Sequence, residues 1–131
     1  MSRPLEFLAS QKILHLATVG PDMAPHVVPV WYLYQDGSIH IGTHTRTLKA
    51  RNIQATGRAA FCTDKGVRSP LYGVMGRGPA RLVTDPDYVC DMAIRIMSRY
   101  FDDVSCASAQ ELLADTDCII VIKPGPLVQW S

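Results

Sequence analysis

The sequence predicts a single β-rich domain, a barrel or sandwich with peripheral helices. Three observations carry that expectation. The 131 residues fall within the roughly 100–150 typical of one compact domain, so 1–131 is read as one unit. Hydrophobic residues make up 47% against 19% charged, enough for a core and too little charge for a disordered chain. Short β-prone runs separated by Gly, Pro and Asp turns fill the first two thirds, without the regular strand–helix alternation of a parallel sheet.

The elements follow in order. Pro4–Ser10 reads as a short amphipathic helix. Ile13–Val19 is a strand ending at Gly20-Pro21-Asp22, and Pro25–Tyr34 returns beside it as a hairpin partner. Pro25 and Pro29 each remove a ladder donor, so this second strand is bulged or keeps free edge positions. Asp36-Gly37 turns the chain into a strand at Ser38–Gly42. Thr47–Ala55 is a helix of two or three turns stopped by Gly57, and further strands are expected at Arg58–Asp64, Leu71–Val83 and Asp117–Lys123. Asp85 as N-cap and Pro86 at the first helical position open the longest helix. Its apolar residues, from Tyr88 and Val89 through Met92, Ile96 and Met97 to Phe101, line one face, which marks the two methionines as core. Asp91 and Arg95 on the opposite face are spaced for an i,i+4 pair. A helical patch at Ala109–Ala114 precedes the last of these strands.

Composition also excludes function classes. Thirteen Lys and Arg against twelve Asp and Glu leave a net charge of +1, which argues against nucleic acid or an anionic membrane as partner. No apolar run approaches the roughly 18 residues of a membrane span, and the opening residues lack a secretory stretch. Cys62, Cys90, Cys106 and Cys118 form no Cys-x-x-Cys pair, and His15, His26, His40 and His44 are read as structural or exposed side chains, so no metal is expected. The thiols read as reduced, and the expected compartment is the cytoplasm.

One segment carries chemistry: Gly42-Thr43-His44-Thr45-Arg46-Thr47-Leu48-Lys49-Ala50-Arg51-Asn52. It leaves a strand, crosses a hydroxyl-rich loop and enters a helix. A helix N-terminus carries about half a positive elementary charge, so Arg46, Lys49 and Arg51 there make physical sense if an anion sits among them. Free backbone N–H groups, the hydroxyls of Thr43, Thr45 and Thr47, and the cations would together hold a phosphate. The same side chains can equally point to solvent, and spacing does not separate the two readings. No Gly-x-x-x-x-Gly-Lys-Ser/Thr loop is present, and Gly73–Gly78 lacks the dinucleotide fingerprint. No Ser-His-Asp or Cys-His arrangement is legible, so the catalytic residues are unassigned and any hard chemistry falls to a bound cofactor.

The ordered motifs resemble a known family. Ala17-Thr18-Val19, Pro25-His26-Val27-Val28-Pro29-Val30-Trp31, Ile41-Gly42-Thr43, Thr47-Leu48-Lys49-Ala50-Arg51-Asn52-Ile53, Arg58-Ala59-Ala60-Phe61 and Gly76-Arg77-Gly78-Pro79-Ala80-Arg81-Leu82-Val83 are similar to the pyridoxamine 5'-phosphate oxidase-like flavin-binding split-barrel family. The resemblance implies a mainly β fold, a six-stranded split β-barrel with peripheral α-helices, forming a homodimer with two cofactor sites at the subunit interface. It implies FMN as cofactor, with the deazaflavin coenzyme F-420 as the alternative. Val28, Pro29, Val30 and Trp31 would run along the flavin ring through backbone groups. Thr43, Arg46, Thr47 and Lys49, with Thr45 in the same loop, would hold the phosphate. Asn52 would support the loop, and Arg77 would come from the region completing the partner's pocket. The implied activity is hydride transfer between the bound flavin and a small-molecule substrate. Tyr32, Tyr72 and His26 stand as candidate proton donors. The Arg-x-His substrate motif of true pyridoxamine phosphate oxidases is not found, so that reaction is not expected. A flavin-binding or storage protein without catalysis is the other reading. A nucleic-acid-binding barrel using Arg46, Lys49, Arg51 and Arg58 is disfavoured by the net charge.

Overall fold

Residues 2–131 are described by the structure, a computed structural model. In chain order the elements are α1 (Arg3–Ser10), β1 (Leu14–Val19), β2 (Pro25–Val30), β3 (Leu33–Gln35), β4 (Ser38–Thr43), α2 (Leu48–Thr56), β5 (Arg58–Asp64), β6 (Gly73–Val83), α3 (Pro86–Met97), α4 (Ala107–Ala114), β7 (Cys118–Ile122) and β8 (Val128–Trp130). The strands pair antiparallel along the path β2-β1-β5-β6-β7-β4-β3, with β8 beside β6. The fold is the mainly β, curled sheet that the sequence predicts.

The curl is built around β6. Its Gly73–Pro79 half pairs with β5 and its Ala80–Val83 half with β7, so one strand serves both walls. At the change of partner, a Cβ on Gly78 would stand 2.0 Å from the Lys123 carbonyl oxygen. Only glycine lets the chain after β7 cross here, where Gly125 N–H donates to the Arg77 carbonyl at 2.9 Å and Lys123 N–H to that of Pro79 at 3.1 Å. Strand β7 is buried along its whole length. Ile120 and Ile122 face the barrel interior with Leu14, Leu16 and Phe61, whereas Ile119 and Val121 face Met92, Ala93 and Ile96 of α3. Period-two alternation thus fills two cores from one apolar run.

The expected second strand, Pro25–Tyr34, is divided. Strand β2 pairs with β1 and β3 pairs with β4, at opposite ends of the path. The step through Trp31 and Tyr32 therefore closes the sheet into a barrel. The β3–β4 ladder stops at Leu33 and His40, yet β4 continues to Thr43 against β7. A split remains between β2 and the far end of β4.

Arg99, just beyond α3, fastens this step. Its guanidinium donates to the carbonyls of Ala9 at 3.0 Å, Gln11 at 2.7 Å, and Tyr32. The Tyr100 hydroxyl accepts from Tyr32 N–H at 2.9 Å and donates to the Lys12 carbonyl at 2.8 Å. Trp31 lies flat on the Tyr100 ring, centroids 4.4 Å apart at 11°. Arg99→Ala should lower stability by about 2–4 kcal/mol, because charge-assisted bonds to three carbonyls are lost. Arg99→Lys should recover less than half, since an ammonium lacks the planar fork. Urea unfolding with an unchanged m-value checks both.

Candidate functional site

The split has two walls. The first is the outer edge of β2. Pro25 and Pro29 cannot donate, so their alternate positions face away from β1, and the backbone groups of Val27 between them share that open edge. Val28 and Val30 turn their side chains toward the core, while Pro29 and Trp31 are exposed. Residues Val28–Trp31 thus offer mainly backbone to anything lying along the edge.

The second wall is the loop from β4 into α2. Thr47 is the N-cap: its hydroxyl accepts from Ala50 N–H at 3.3 Å and donates to the His44 carbonyl at 2.9 Å. Thr43 Oγ1 lies 3.3 Å from Thr47 Oγ1, so both hydroxyls are engaged in the cap. The N–H groups of Leu48 and Lys49 follow in the first turn with no protein acceptor. Gly57, at φ 71°, closes the other end of α2. Asn52 is buried and donates to Thr18 Oγ1 at 3.1 Å, and the Thr56 hydroxyl donates to the Val19 carbonyl at 3.1 Å. Thr18 pairs with His26 of β2, so α2, the loop and the open edge are tied into one unit through β1.

Among the described residues, the cations of this loop make no ion pair. The sole ion pair among the described residues joins Arg95 and Asp91 at 3.2 Å on the exposed face of α3. Arg46 is exposed, and Lys49 is half-buried with no carboxylate in reach. Burial holds the Lys49 amine below the ordinary lysine range. The Nδ1 atoms of His26 and His44 are buried without hydrogen-bond partners. An anion carrying an acceptor-rich ring system fits these features: it would neutralise Lys49, cap the free N–H groups and reach the backbone of β2.

Asp117, which sequence reasoning overlooked, belongs to the loop. Its carboxylate accepts from Thr45 N–H at 2.8 Å and from the Thr45 hydroxyl at 3.3 Å, and its N–H donates to the Thr43 carbonyl at 3.0 Å. Both Thr45 donors are thereby taken. No local signal marks this contact, because 72 residues separate the partners.

Arg77 lies elsewhere in the chain. It lines a groove of about 1380 Å³ at the C-terminal end of α2, with Ala60, Arg58, Met75 and Val128. The fold of the chain does not bring it to the loop. The Tyr32 hydroxyl donates to the Leu8 carbonyl inside the core, and burial pushes its pKa well above the ordinary phenol value, so it has no proton for a site near neutrality. The Tyr72 hydroxyl donates to Gln129 Oε1 at 2.7 Å. Trp130 covers Gly73 from β8, a packing role.

An unpaired ammonium in a half-buried place is a cost to the ligand-free fold. Lys49→Met should therefore raise the urea midpoint of the free protein. The folded pKa is depressed, so the unfolded chain binds more protons as pH climbs toward 10.5, and wild-type stability rises there. The gap between the two proteins should narrow over that range, as paired urea curves would read out.

With the geometry in place, comparisons with known proteins are informative. The family model described as pyridoxamine 5'-phosphate oxidase matches residues 4–130. A search of curated proteins gave no match. Among solved structures, a conserved hypothetical protein from Mycobacterium tuberculosis shares 26% identity, over 100% of this chain and 85% of that one, at TM-score 0.82. An F-420 reductase shares 25% identity over 98% of each chain at TM-score 0.78. A haem storage protein from Vibrio cholerae shares the fold, at 16% identity over 95% and 89% and TM-score 0.75. Nearly the whole chain is spanned by the family match, and it belongs to the pyridoxamine 5'-phosphate oxidase family.

Proposed function

We propose that this protein is a flavin-binding oxidoreductase that takes FMN and transfers hydride between the flavin and a small organic substrate. The carrying observation is the half-buried Lys49 ammonium, unpaired and beside two free N–H groups, across a split from an open strand edge. The flavin supplies the redox chemistry when bound. The chain's part is to bind and orient. Lys49, Arg46 and the first turn of α2 hold the phosphate, Asn52 fixes that turn to β1, and the β2 backbone of Val28–Trp31 aligns the ring. The buried apolar residues behind β2 keep water from one side of it. Likeness to an F-420 reductase over 98% of each chain favours a second reading, in which the deazaflavin coenzyme occupies the same loop.

Titration with FMN and with coenzyme F-420, followed by absorbance and fluorescence, tests both. Binding of FMN supports the first reading, binding of the deazaflavin alone the second, and binding of neither removes both. In the FMN case Lys49→Ala should weaken binding by about 1.5–3 kcal/mol, the worth of a charge-assisted hydrogen bond. Turnover with an electron donor and a panel of acceptors separates an enzyme from a protein that only stores flavin.

A homodimer with cofactor sites at its interface belongs to the same reading. Support comes from the outer face of β1, β5 and β6, where the Ala60–Met75–Val128 groove leaves Met75 43% and Val128 58% exposed. Two-fold pairing of this face would carry Arg77 toward the partner's site. Met75→Glu should shift the sedimentation coefficient to that of a monomer and weaken flavin binding together.

A further inference from the structure

We propose that the hollow between α1 and the 65–72 loop is a second anion site, which binds the phosphate group of a small phosphorylated molecule. The inference is independent of the flavin reading, because the hollow shares no residue with the loop from β4 into α2. Its volume is about 490 Å³, and Arg3, Glu6, Lys65 and Arg68 line it. That is the size of a small-molecule pocket, typically roughly 300–1,000 Å³, and leaves room for more than the phosphate itself.

Tyr72 brings the cations together. Its buried ring forms the floor, held edge-on by Phe7 with centroids 4.8 Å apart and by a hydroxyl bond to Gln129 at 2.7 Å. The Arg3 guanidinium lies 4.0 Å over the centre of that ring. The Tyr72 carbonyl accepts from Lys65 N–H at 3.0 Å, which fixes the loop beside the same residue. Arg68 folds back on Lys65, whose carbonyl accepts from Arg68 Nε at 3.1 Å and from its backbone N–H at 3.4 Å. Two stretches distant in sequence are thus joined by contacts through one buried aromatic residue, and three cations meet at one hollow.

These cations stay available. Among the described residues no carboxylate lies within ion-pair distance of any of them. Stacking occupies a face of the Arg3 guanidinium, and the loop turn occupies one N–H of Arg68, so in-plane donors of both remain for a ligand. Elsewhere the chain uses such groups structurally: Arg99 holds three carbonyls, and Arg95 pairs with Asp91. Glu6 is the one acid lining the hollow, which leaves an excess of two positive charges. A phosphate monoester, with about −1.5 to −2 at pH 7, matches that excess, and its oxygens suit the planar fork of a guanidinium.

Calorimetric titration with phenyl phosphate tests the site. It is run at about pH 8, where the monoester carries close to two charges, and in salt of about 0.15 M, which screens scattered surface charge. The wild type should show a binding step that Lys49→Ala retains unchanged, since Lys49 belongs to the other loop. Arg68→Gln should weaken that step about tenfold, as the loss of a charge-assisted bond predicts. Combining Arg3→Gln with Arg68→Gln should abolish it. Glu6→Gln should tighten it about threefold, a gain that a folding defect does not produce. Absence of binding by the wild type overturns the proposal, as does equal affinity in the wild type and Arg68→Gln. A step lost in Lys49→Ala and kept in the double variant overturns it too, and assigns the anion to the loop from β4 into α2.

Discussion

The architecture hinges on how the chain passes from β2 to β3. Two residues, Trp31 and Tyr32, must leave one edge of the sheet and reach the other, and their backbone groups cannot join either ladder. Arg99 and Tyr100 take over the hydrogen bonding of the Tyr32 backbone from outside the sheet. The Tyr32 ring fills the barrel interior, with its hydroxyl held by α1. With the crossing fixed, β2 is held away from the end of β4, and the split between them becomes permanent. The β2 side of the candidate site is thus set by contacts behind it, and its open edge remains free of structural duty.

The loop at the other side of the split shows the opposite economy. Its hydroxyls and Asp117 are consumed in holding the backbone, and only Lys49, Arg46 and two N–H groups are left over. A fold built for stability alone would place an acid at this helix start. The sequence places cations there. Strain of this electrostatic kind is what a binding site keeps in reserve, because a ligand of the right charge relieves it on arrival.

Much of this was legible beforehand, for local reasons. Strand β5 falls on Arg58–Asp64 as read, α2 stops at Gly57, and α3 opens at Asp85-Pro86. Each is decided by residues a few positions apart. The break in Pro25–Tyr34 was not legible, since the run is β-prone throughout and what breaks it is Arg99, 67 residues on from Tyr32. Strand β8 was missed because it forms where Gly73 leaves a slot for Trp130. Of the expected site residues, Thr43 ends β4, Thr47 caps α2, and Lys49 and Asn52 lie within that helix. Asp117 enters through the pairing of β4 with β7, which no local pattern encodes.

The prolines of β2 have a consequence beyond ligand access. A sheet edge that stays open is a template on which other chains can add strands, in the cell as in a concentrated solution. Pro25 and Pro29 deny such an intruder two donors at alternate positions, so a continuous intermolecular ladder cannot grow along β2. The protein can therefore keep an unpaired edge exposed without seeding fibres from it.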